Sequence, residues 1–111
     1  MKDDKLYLIH MQECIQRIEK YTAGGQVEFM QQDLIQDAVI RNLQVLAESS
    51  QHISNERKQS HPEVDWFALS GFRNILVHEY LGVDVERVWN IIMNDLPSLK
   101  SSLIIMLEEN T

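Results

Sequence analysis

The sequence has very little of what usually stabilises or anchors a small protein by other means than packing. One cysteine, Cys14, excludes an intrachain disulfide and offers no zinc framework. No apolar run approaches the 18 or more residues that a membrane helix needs, and the amino terminus, with Lys2, Asp3 and Asp4, lacks the apolar stretch of a signal peptide. These absences make the cytoplasm the expected compartment. Only four glycines and two prolines interrupt 111 residues that are 44% hydrophobic, which argues for a folded globule rather than a disordered chain. At this length a single domain over 1–111 with one substantial core is expected. No strand alternation and no internal repeat is visible.

Positive charge is also scarce. Ten basic residues stand against 17 acidic ones, a net charge of −7, and this weighs against a nucleic-acid ligand, which usually leaves a basic footprint. The imbalance is uneven, however. Residues 1–40 hold seven acids and four bases and 81–111 hold five and two, whereas 41–80 hold five and four together with three of the four histidines. A positive cleft can therefore arise from the middle segment, with modest affinity and a shallow salt dependence. The acidic remainder suits a basic protein partner.

What is present is a helical pattern. Tyr7, Leu8, Met11, Cys14, Ile15, Ile18 and Tyr21 recur at three- and four-residue steps and predict a first helix over 4–21, capped by Asp3 or Asp4. Cys14 lies on its apolar side as buried filler, and Thr22-Ala23-Gly24-Gly25 ends it through the backbone freedom of glycine. A long second helix is expected over 30–56, burying Leu34, Ile35, Ala38, Val39, Leu43, Val45, Leu46 and Ile53. Along it Leu34, Ala38, Arg41, Val45, Glu48 and His52 form one stripe, readable as a surface facing a site or, slightly better, as a solvated edge with an Arg41–Glu48 pair. Residues 55–63, with His61-Pro62, read as a loop with a solvated histidine.

A third helix starts at the cap Asp65 with Val64 and Leu69 as a hydrophobic staple, and a fourth at Asp84 with Val83 and Val88. Gly71, unfavourable inside a helix, is expected where another helix approaches closely, as at a dimer contact. Pro97 should kink the last helix or divide it in two. Trp89 is placed to pack on Tyr80 or on the core.

Toward the end of the third helix, whose buried side is Leu69, Phe72, Ile75 and Leu76, and before Gly82 lies the stretch Arg73-Asn74-Ile75-Leu76-Val77-His78-Glu79-Tyr80. Arg73 has a planar cationic fork suited to phosphate, His78 exchanges protons near neutrality, and Tyr80 carries a phenol. An RNA phosphodiester needs a group to take the 2′-hydroxyl proton, one to protonate the leaving oxygen, and positive charge for the phosphorane. Nothing in that list demands a metal, and no histidine pair has metal-binding spacing. No cofactor is expected. On an ideal helix Arg73 and His78 stand about 140° and roughly 7.5 Å apart, so they do not share a face; Asn74 and His78 do. The same residues also fit a plainer account, with His78 at the negative end of a helix dipole, Arg73 in a surface ion pair and Tyr80 closing the core.

Arg73-x4-His78-x-Tyr80 resembles the R-x4-6-H signature of HEPN-domain ribonucleases, in the form with a trailing tyrosine that marks the HepT toxins of bacterial toxin–antitoxin pairs. The similarity extends from Asp33-Leu34-Ile35-Gln36-Asp37-Ala38-Val39-Ile40-Arg41-Asn42-Leu43 through Trp66 and Phe72-Arg73-Asn74 to Leu96-Pro97-Ser98-Leu99. It implies an all-α, antiparallel bundle of four to five helices, a homodimer with the signature at its interface, and metal-independent cleavage of tRNA or mRNA. It further implies a nucleotidyltransferase antitoxin that adds AMP to the tyrosine, here Tyr80. Where relatives often carry Gly-Glu-Ala in the second helix, this chain has Leu46-Ala47-Glu48-Ser49, keeping the glutamate. Arg73, His78 and Asn74 are thus the catalytic candidates, with Arg41 and Glu48 in support. Two other classes stay open: a non-catalytic HEPN module that binds nucleotide or protein beside a nucleotidyltransferase, and an assembly partner whose signature is only that enzyme's substrate.

Overall fold

In the computed structural model, which describes residues 2–78 and 82–109, with side chains within 4–76 and 82–109, the described residues are helical and contain no strand. Five longer helices make the expected antiparallel bundle: α1 (Lys2–Tyr21), α3 (Asp33–Gln51), α5 (Trp66–His78), α6 (Val85–Asn94) and α7 (Leu96–Glu109). Two six-residue helices, α2 (Gln26–Gln31) and α4 (Asn55–Ser60), fill the connections. The packing is centred on α3, which lies against α1 on one side and α5 on the other, while α7 covers α1 and pairs with α6.

The core follows from the apolar stripes. Leu8, Met11, Ile15 and Ile18 of α1 meet Val39, Leu43 and Leu46 of α3, Leu76 of α5, and Leu103 and Met106 of α7, all essentially inaccessible to water. Cys14 is part of this cluster, and burial pushes its thiol up from the usual range. Trp89 takes the core alternative: it is buried and its ring lies 5.3 Å from Phe29 at 37°.

The expected starts of α5 and α6 are seen atom by atom. Asp65 Oδ1 accepts the Ala68 N–H at 2.9 Å, and Asp84 Oδ1 accepts that of Glu86 at 3.0 Å. The last helix is divided as anticipated, with Asp95 between α6 and α7 and Pro97 in the first turn of α7, where its missing N–H removes no helical hydrogen bond. Thr22 Oγ1 donates to Ile18 O at 2.7 Å at the end of α1, and Gly25 (φ +93°) sets the chain for α2 in a backbone region closed to other residues.

Several expectations need correction. Residues 30–56 are not one helix. Gln32 is extended between α2 and α3, and Gln36 Nε2 satisfies the freed carbonyls of Phe29 (2.9 Å) and Met30 (3.2 Å). Leu34, expected in the core, is 83% exposed because that break turns the start of α3 outward. Asp4 lies inside α1 rather than capping it. It is buried, accepting from Ser54 N (3.0 Å) and Ser54 Oγ (2.7 Å), and so joins the start of α1 to the start of α4.

The loop expected at 55–63 contains α4, started by Ser54 Oγ accepting from Arg57 N at 3.3 Å. His61 is not solvated but buried. Its Nδ1 lies 3.0 Å from Glu63, its Nε2 lies 2.9 Å from Glu109, and its carbonyl accepts from Trp66 Nε1. Gly71 is exposed, and apart from its chain neighbours and the adjoining backbone of its own helix no described atom comes within 4 Å of where a side chain would begin. No helix among the described residues is long and apolar enough to cross a membrane.

Candidate active site

The signature arginine and histidine lie on α5, whose last residue is His78. Apolar residues set the pitch of this helix: Leu76 is buried, and Leu69 and Phe72 pack against the core, leaving Arg73 partly covered beside α3. Two polar contacts then fasten α5 to α3. Gln44 Nε2 donates to Leu76 O at 3.1 Å, satisfying one of the carbonyls that a helix end leaves unpaired. Arg73 Nε donates to Glu48 Oε2 at 2.7 Å.

The Arg73–Glu48 contact decides between the earlier readings of the α3 stripe. Glu48 pairs across to the signature, not along its own helix with Arg41. The hydrogen bond from Arg73, followed by the charges of Arg73 and His52, holds the Glu48 carboxyl below the ordinary glutamate range despite some desolvation. Arg73 also donates through one terminal nitrogen to Asn74 Oδ1 at 3.2 Å. Among the described residues two of its five N–H groups are so engaged, and the remainder can meet an anion. The guanidinium is therefore oriented before any ligand arrives, although both partners are substantially exposed.

Asn74 is exposed and adjoins Arg73. The side chain of His78 and the whole of Tyr80 lie outside the described residues. Arg41 and Glu48 line an open cavity of about 500 Å³ together with Tyr7, Gln44 and His52. Among the described residues no three histidine, cysteine or acidic side chains converge to hold a metal ion.

Two participants carry no motif of their own in the sequence. Gln44 is a single polar residue whose only signal is its place between Arg41 and Glu48 on the same side of α3, and Tyr7 belongs by spacing to the apolar face of α1.

A family profile described as "Ribonuclease HepT-like" matches residues 11–105. The chain belongs to the HepT-like ribonuclease family. Among its relatives, a protein of Thermococcus cleftensis provisionally named ribonuclease HepT is 39% identical over 100 residues, which are 89% of this chain and 91% of that one. A Methanocaldococcus jannaschii protein provisionally named an RNase is 33% identical over 106 residues, covering 95% of this chain and 97% of the relative.

A second protein of that organism, named as a gamma-glutamylcyclotransferase and provisionally as an RNase, is 33% identical over 109 residues. The chain spans 97% of itself but about half (49%) of that relative, so the HepT-like unit also occurs as part of a longer protein. No solved structure matches the chain significantly. The all-α fold is consistent with the HepT-like family.

Proposed function

We propose that this protein is a metal-independent endoribonuclease, the toxin of a toxin–antitoxin pair, acting in the cytoplasm as a homodimer on tRNA or mRNA. The observation that carries this reading is the Arg73 guanidinium, held against Glu48 on the same helix as His78 with donors to spare. In the reaction, the ribose 2′-oxygen bonds to phosphorus as His78 takes its proton. The bond from phosphorus to the 5′-oxygen breaks, and that oxygen receives a proton from a histidine imidazolium, either the same group or His78 of a second copy. Arg73 stabilises the phosphorane charge and Asn74 orients phosphate or histidine. The products end in a 2′,3′-cyclic phosphate and a 5′-hydroxyl.

Dimerisation is supported by the outer face of α5. Phe67 is 89% exposed, Gly71 is open, and the surface beside them continues along an apolar groove past Phe72 and Ile75. A second α5 packed there, as an isologous contact requires, would bring two signatures together. Silencing follows from Tyr80. Its phenolic oxygen, losing its proton to solvent, attacks the α-phosphorus of ATP bound to a nucleotidyltransferase partner, the bond from that phosphorus to pyrophosphate breaks, and the attached AMP sets bulk and negative charge beside Arg73 and His78.

The acidic balance of the chain favours a second reading, in which it mainly holds that nucleotidyltransferase and cuts nothing. Cleavage of RNA in excess EDTA by unmodified protein, compared with His78→Ala and with product ends mapped, separates the two. Cleavage that survives EDTA, leaves cyclic-phosphate ends and disappears in the variant supports the nuclease. Equal inertness of both proteins supports the binding role. Tyr80→Phe should stay toxic and escape silencing if the nuclease reading holds, and show no growth effect if the chain is a scaffold.

A further inference from the structure

Next to the Arg73–Glu48 pair, the cavity of about 500 Å³ between α1 and α3 contains groups that the cleavage chemistry does not use. Tyr7 and His52 stack inside it with ring centroids 4.5 Å apart and planes 13° from parallel. The edge of His10, 6.1 Å from Tyr7 and nearly perpendicular, braces the tyrosine from its own helix. Tyr7 is half-buried whereas His52 is exposed, so the two rings form a platform with an accessible side. Platforms of this kind accept the flat faces of unpaired bases, whatever their identity.

Arg41 stands in the same cavity, exposed and without a carboxylate partner among the described residues. His52, the residue that ends α3, stands eleven positions beyond it, which places the two on one side of the helix about 16 Å apart along the axis. That span exceeds one nucleotide and suits a short run of strand. Glu48, between them, reaches across to Arg73.

We propose that this cavity is a strand-binding subsite for single-stranded RNA: the Tyr7–His52 platform stacks one unpaired base, and Arg41 holds a phosphate further along. The subsite lies beside Arg73, so it selects the nucleotides flanking the cleaved bond. Its role in cleavage rests on the ribonuclease reading; its capacity to bind RNA does not.

The test uses the full chain carrying His78→Ala, titrated with a fluorescent single-stranded hexaribonucleotide. Adding Arg41→Ala or His52→Ala should weaken binding about tenfold each. His52→Phe should restore it by returning the flat ring, and Lys100→Ala, remote from the cavity, should leave it unchanged. Binding within twofold of the parent in both Arg41→Ala and His52→Ala overturns the subsite. So does tight binding of free AMP that competes fully with the hexamer, since a single nucleotide would then suffice.

In protein with His78 intact, the same two variants should lower kcat/KM and blur the base preference at the cut. Unchanged cleavage and preference overturn the subsite while the ribonuclease reading stands. Hexamer binding that depends on Arg41 and His52, in a protein that cuts no RNA, upholds the subsite and removes that reading.

Discussion

Arg73 and His61 each lie against glutamate carboxylates, but their surroundings differ. Around His61 the polar groups close on one another: both ring nitrogens face carboxylates, Arg57 lies 3.7 Å from Glu109 and donates to Met106 O at 2.7 Å, and Trp66 Nε1 binds the His61 carbonyl. A buried imidazole with both nitrogens so engaged has no capacity left for a ligand. Around Arg73 the network stays open among the described residues, with an exposed carboxylate, spare guanidinium donors and a neighbouring cavity. Closed networks fix the fold, and open ones are available for chemistry.

The largest expected effect would break this comparison on the open side. His78→Ala or Arg73→Ala should lower RNA cleavage by about 10²–10⁴, the range for losing an acid–base group or a fixed positive donor. The melting temperature should change little. A melt and a single-turnover assay on the same preparation check both parts.

On the closed side, Asp4→Ala should act in the opposite sense. It leaves the Ser54 N–H and hydroxyl without their buried acceptor and should cost about 1–3 kcal/mol of stability. Cleavage per folded molecule should be unaltered, and urea unfolding followed by circular dichroism measures the loss.

The His61 cluster sharpens the contrast through pH. Burial alone would lower the imidazole's proton affinity, but the hydrogen bonds and charges of Glu109 and Glu63 outweigh it and raise the folded-state pKa above the ordinary histidine value. The stabilisation is thus full below the unfolded histidine range and is lost as pH rises through the raised folded value. The melting temperature should fall over that window in the parent protein and show a smaller dependence in His61→Gln.

The smallest effect belongs to Glu48→Gln. An exposed pair of this kind contributes about 0–1 kcal/mol, so stability should barely move. Cleavage should change only a fewfold as Arg73 loses its charged support, and a loss as large as that of Arg73→Ala would move Glu48 into the reaction itself.

Much of this architecture was legible in the chain. Helical periodicity located α1, and the short-range chemistry of Asp65, Asp84 and Pro97 marked boundaries that tertiary contacts respect. The break at Gln32 was not legible, because it depends on Gln36 reaching back to two carbonyls and on Phe29 being drawn to Trp89, 60 residues further on. His61 beside Pro62 looked like a solvated turn because its partner Glu109 is at the far end of the chain. Arg73 and Asn74 could be singled out by residue type, whereas the partnership of Arg73 with Glu48 required the packing of α3 on α5.

Gln44 and Glu48 are one helical turn apart on α3, and their partners Leu76 and Arg73 are three residues apart, in reverse order, on α5. The two contacts therefore behave as adjacent teeth of a gauge that reads the relative phase of the helices. Deleting one residue between Gln44 and Glu48 would swing one tooth about 100° out of mesh, whichever residue was removed. Length in this four-residue interval is consequently under a constraint of its own, additional to the burial that keeps Leu46 and Ala47 apolar: a substitution there is felt in the core, whereas a change of length is felt at the contacts with α5.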